Sequence, residues 1–192
     1  MTTVRKSNSN KIIFILFLVV FIGMEIIALN MDSHYKYDIP MCIILLAIVF
    51  YIQNKIDLIP THYFLYSLFL LIHCLGMYDF YNLYFFNIEY DYWVHGYFGF
   101  ISILMIINSL KHFGHNLTPT FIYSMSIVFI LGISAVHELY EFAGALLLGE
   151  GEGVLFIGAG DLDPWDTQKD MLNNLLGGLA GLSYSIISTL ND

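Results

Sequence analysis

Basic residues are scarce in this chain: seven Lys and Arg against 16 Asp and Glu in 192 residues. The resulting net charge of -9 leaves no stripe able to neutralise phosphates, which excludes nucleic acid as a partner, and no polybasic patch for anionic lipid headgroups. Cysteine is almost absent. Cys42 and Cys74 both fall in apolar runs without CxxC spacing, so a disulfide framework and a thiolate metal site are excluded and core packing is left as their role. Charged residues of both signs make up only 12% of the chain. What is present instead is apolar: 58% hydrophobic residues and a mean hydropathy of +0.71, with no polar tract long enough for a soluble domain. The reading is an integral membrane protein, all-α and polytopic, with residues 1–192 as a single membrane domain.

A bilayer core of ~30 Å needs about 20 helical residues. Hydropathy places six transmembrane helices near 12–30, 39–54, 62–80, 90–109, 120–148 and 167–190. The first follows Arg5, Lys6 and Lys11, as a signal peptide would. It is too long for one, however, carries Glu25 and lacks an A-x-A cleavage site, so it is a retained helix. NKIDLIPTH with Pro60 and HFGHNLTPT with Gly114 and Pro119 punctuate the chain as loops. Arg5, Lys6, Lys11, Lys55 and Lys111 lie on one side of this arrangement and only Lys36 and Lys169 on the other, which makes both termini cytoplasmic in a multi-pass protein of the cell's inner membrane. The Asn116 sequon then faces the cytoplasm and is no glycosylation signal.

Within that arrangement the intramembrane ionisable residues collect in the outer half. Burying a charge in hydrocarbon costs at least ~2.5–3.5 kcal/mol by insertion scales, so such residues face a partner, a cavity or a ligand. Asp91 and His95 open the fourth span on one face, at i,i+4, and Gly99 continues that face. A capping Asp beside a hydrogen-bonded His would give the same spacing. In HELYE, His137 and Glu141 share a face and Glu138 adjoins Glu141 at i,i+3, half a site for a hard or borderline divalent metal ion. A buried His–Glu pair is the plainer explanation, and HExxH is not matched because Glu141 stands where the second His would be. In GAGDLDPWDTQKDMLNNLLGG, Asp161, Asp163 and Asp166 precede the sixth helix, Thr167 and Asp170 fit a capping box, and Asp170 and Asn174 stand one turn apart. Gly177, Gly178 and Gly181 form a small-residue surface for close helix packing. GEGEGVLFIGAG before them matches no phosphate loop and reads as an outer lid or a re-entrant turn, with LFI dipping into the membrane.

The motifs YDYWVHGYFGF, HELYEF and DPWDTQKDMLNNLLGGLAG, in this order, resemble the YjdF-like inner-membrane family, a domain of unknown function. A fainter likeness, in the Asp and His opening one helix, the Glu of the next and Asp-x-x-x-Asn before glycines in the last, is to the VanZ-like family. The first resemblance implies the fold and no reaction; His95-Gly96 stands where such families usually have His-Phe.

Three functions fit. The first is a metal-dependent membrane enzyme, a hydrolase or transferase acting on an envelope lipid or lipid-linked substrate. Asp91, His95, His137 and Asp170 would bind the metal, Glu138 or Glu141 would be the catalytic base, and Asp161, Asp163, Asp166 and Asn174 would rim or support the site. The second is an ion- or proton-coupled transporter using the same carboxylates, and the third a non-enzymatic membrane subunit whose polar residues cross-link helices. The fourth, fifth and sixth helices are expected to meet around one outward-opening pocket.

Overall fold

The computed structural model describes residues 3–114, 116–148 and 165–191. They are nearly all helical, in six α-helices: α1 Thr3–Asn30, α2 Tyr35–Ile52, α3 Pro60–Cys74, α4 Tyr90–Phe113, α5 Pro119–Leu148 and α6 Asp166–Asn191. Local chemistry accounts for several ends. Pro60 and Pro119 occupy first-turn positions, where a missing N–H costs nothing. Before Pro119, Thr118 Oγ1 accepts from the Phe121 N–H at 3.3 Å, an N-cap.

Among the described residues, four helical stretches are long and apolar enough to cross a membrane: Ser7–Asn30, Tyr35–Ile52, Tyr90–Phe113 and Pro119–Ala143. The third helix expected from hydropathy is shorter than 62–80. It ends at Cys74, passes into a 3-10 turn at Leu75–Tyr78, and is broken at Asp79, whose φ is 68°. A second 3-10 turn at Phe80–Asn82 leads into a small hairpin, β1 Tyr84–Phe85 and β2 Ile88–Glu89. The sixth helix has the length to cross, but the polar residues of DTQKDMLNN at its start lower its hydropathy.

The helices form two groups. Phe21, Ile39, Leu46, Tyr63 and Leu70 knit α1, α2 and α3 together, and Ile103, Ile107, Ile122 and Ile130 join α4 to α5 with Leu182 of α6 packed against them. Packing between α3 and α4 connects the groups, whereas α5 packs on α4 and α6 and has no comparable packing on α2 or α3. Large apolar side chains face outward along the helices, among them Ile12, Val19, Ile44, Val128, Val136 and Leu139, as a lipid-facing surface requires.

The most extensive helix contact is between α4 and α6. A Cβ at Gly99 would lie 2.0 Å from the Asn174 carbonyl oxygen, and one at Gly177 would lie 1.8 Å from that of Gly96, so these backbones touch only because both positions are glycine. His95 lies beside Asn174 and Gly99 beside Gly178, so the two helices run parallel with their N-terminal ends together.

Candidate functional site

Close parallel packing of α4 on α6 decides where their polar turns meet. His95 Nε2 stands 3.6 Å from Asp91 Oδ1 and 3.5 Å from Asp170 Oδ2. One ligand atom from each of these three residues lies within 4.8 Å of the others, a spacing that fits a shared cation. Asp170 is buried and its Oδ1 has no hydrogen-bond partner. On the far side of the ring, His95 Nδ1 is 3.3 Å from Asn174 Oδ1, and Asn174 Nδ2 donates to Ser134 Oγ of α5 at 2.7 Å. With its amide nitrogen committed to Ser134, Asn174 offers His95 an acceptor, which puts the imidazole proton on Nδ1. Nε2 then faces two carboxyl groups, and in the neutral imidazole it presents a lone pair to them. Three acceptors aimed at one point repel one another unless a cation or a shared proton lies between them.

The α5 residues divide. His137 Nε2 is 3.4 Å from Glu141 Oε1, both line a cavity beside the three-residue cluster, and the His137 ring centroid is 6.1 Å from that of His95. His137 lies outside the cluster of three ligand atoms. Glu138, also buried, turns toward Thr167 at the start of α6 and leaves Oε1 without a hydrogen bond. Asp166 occupies the first turn of α6 near Glu138 and Asp170. Asp161, Asp163 and the GEGEGVLFIGAG segment lie outside the described residues.

Opposite α5, the same cavity is walled by residues of α2, α3 and a 3-10 turn that follows it. His73 at the end of α3 meets the Tyr81 hydroxyl through Nδ1 at 2.9 Å, while its Nε2 is 4.0 Å from Asp38 Oδ2 of α2. Cys42, four residues beyond Asp38, lines the cavity, with its sulfur 3.6 Å from that of Cys74; both thiols are free and buried. One signal for part of this site was visible in the sequence and went unread. Asp91, His95 and Gly99 repeat the spacing of Asp170, Asn174 and Gly178, and the two triplets lie side by side on the parallel helices.

Apolar helices, outward-facing hydrophobic side chains and polar residues gathered at one end define a helical membrane protein with an internal polar site. The chain belongs to the family described as "Predicted membrane protein (DUF2238)", whose model matches residues 10–190. In general terms this is the YjdF-like family that the motifs resemble. No curated protein and no solved structure matches the chain, so the VanZ-like likeness rests on the motifs alone.

Proposed function

We propose that this protein is a metal-dependent enzyme of the inner membrane that acts on an envelope lipid or lipid-linked substrate. One observation carries the reading: His95 Nε2 converges with the carboxyl groups of Asp91 and Asp170, at 3.6 and 3.5 Å, while Asn174, held by Ser134, stands behind its Nδ1. Nitrogen and oxygen donors of this kind suit a borderline or hard divalent ion such as zinc, manganese or magnesium. A bound ion would supply Lewis-acid polarisation of a substrate oxygen. Asp91, His95 and Asp170 hold that position, and Asn174 keeps the imidazole turned toward it. Glu141 lines the cavity with His137 against its carboxylate, which suits it to take a proton from an attacking water or hydroxyl group. Glu138, facing α6, is the less suitable base of the two.

The distribution of basic residues supports an outward site. In a six-span arrangement with cytoplasmic termini, α3 crosses together with the 3-10 turns that follow it and α6 crosses beside α4, so the cluster opens away from the cytoplasm. The test is turnover. Purified protein is incubated in nanodiscs with total envelope lipid extract, and the lipids are compared by mass spectrometry with and without a chelator. One lipid class should be consumed by the wild type, not after chelation, and not by Glu141→Gln. Lipid profiles identical in all three would remove the enzyme reading and favour an ion-coupled carrier.

A further inference from the structure

The cavity beside the cluster is polar at one end and apolar at the other, and three of the four helices lining it, α3, α4 and α5, repeat that order. On α4, Asp91 and His95 are followed inward by Phe98; on α5, Glu141 and His137 are preceded by Ile133. On α3, His73 stands one turn beyond Phe69 and Leu70, and on α2 Cys42 is followed by Leu45. The polar residues all lie toward the ends of these helices that carry the hairpin and the start of α6. From Asp91 to Phe98 the helix rises by about 10 Å at ~1.5 Å per residue. No Lys or Arg lines the cavity among the described residues.

Its size and its exit are equally informative. A volume of about 200 Å³ holds six or seven groups of water size at ~30 Å³ each. One alkyl segment of six or seven carbons has room; two such segments side by side do not. The cavity lies between α5 on one side and α2 and α3 on the other, which do not pack on each other as their neighbours do. Ile133 lines the cavity on the α5 side and is 43% exposed. A ligand of this cavity therefore has a sideways route from the membrane.

We propose that the cavity is a slot for a single-chain amphiphile, entered laterally between α5 and the α2–α3 pair, with the chain resting on Phe98, Leu70 and Leu45 and the oxygen-bearing head held among His73, Tyr81 and the Asp91–His95–Asp170 cluster. This rests on the enzyme reading for its purpose, since it names that site's substrate class, but chain binding is separable from metal binding. A second chain inside the cavity is excluded by volume. A headgroup of dense negative charge is excluded unless a cation offsets Asp91, Asp170 and Glu141, because no basic side chain is there to do so.

The probe is a long-chain primary alcohol carrying a photoreactive diazirine in mid-chain, added to the full-length protein in nanodiscs and mapped by peptide mass spectrometry. Its neutral head makes labelling independent of the cation. The expected result is carbene insertion at Phe98, Leu70 or Ile133, reduced at least tenfold by Ile133→Trp, which closes the seam, and by Leu45→Phe, which shortens the floor, with metal content unchanged in both. A diazirine phosphatidylcholine should label only outward positions such as Val136 and Leu139. Alcohol labelling confined to those outward positions, or unaffected by both substitutions in folded protein, would overturn the slot. Labelling of the slot in protein that binds no metal would uphold it and reject the metal reading alone.

Discussion

Asn174 shows how much of the cluster depends on one side chain behind it. Its amide is held between Ser134 and His95, fully buried, so its orientation sets which imidazole nitrogen points at Asp91 and Asp170. Asn174→Leu is expected to weaken divalent-ion affinity by about 10- to 100-fold, the usual effect of losing an orienting partner of a ligating His, while the protein still inserts. Isothermal titration of metal-stripped protein measures this. Ser134→Ala removes only the outer hydrogen bond and should cost about 0.6–1.7 kcal/mol in unfolding free energy, the range found for such bonds within membranes. At this scale the sequence was informative where helical spacing sufficed. Asp91 with His95 and Asp170 with Asn174 are i,i+4 pairs whose shared face needs no tertiary knowledge. Asp38, His73 and Tyr81 were not legible together, because they come from α2, α3 and a 3-10 turn, and only packing of α2 on α3 brings them within reach.

Between elements, the contact of α4 with α6 is the one the site cannot lose. Gly99→Ala and Gly177→Ala each drive a methyl group into a carbonyl oxygen of the facing helix, and a backbone cannot give way as a side chain does. Each is expected to destabilise the protein by about 1–3 kcal/mol, the cost of overpacking, and to lower metal affinity by parting His95 from Asp170. Gly132→Ala is the control, since a Cβ there meets nothing within 4 Å. It should leave the thermal midpoint in detergent unchanged or raise it, Ala being the better helix former. The glycines of α6 were readable as a packing surface; their partners on α4 were not, since a sequence states which faces are small and not which of them meet. The helix expected over 62–80 stops at Cys74 for a local reason. Its apolar residues continue past Cys74, but the backbone leaves the helix in the turn containing Gly76 and reverses at Asp79. The hairpin that follows also escaped notice, because its turn puts Phe86 and Asn87 at positive φ, of 54° and 61°, in place of the usual Asn-Gly.

For the whole molecule, orientation and the cation decide the account. Single cysteines introduced at Lys55 and Asn116, in the two loops at one end of the helices, should react with a membrane-impermeant maleimide only after the cytoplasmic face is opened. A cysteine at Phe86, the 91% exposed tip of the hairpin, should react in intact cells. Labelling in the reverse sense would turn the site toward the cytoplasm. The same background, with Cys42 and Cys74 replaced by Ala or Ser, also tests whether those buried thiols serve only in packing. The convergence of His95 Nε2 with two carboxyl groups is the central claim, and elemental analysis of the purified protein tests it most directly. Protein prepared without chelator should carry one divalent ion per chain, lost in His95→Ala and in Asp170→Asn, and retained in Glu141→Gln. Folded wild-type protein that holds no ion, and takes up none when zinc, manganese or magnesium is supplied, would contradict the account and leave Asp91, His95 and Asp170 sharing a proton instead.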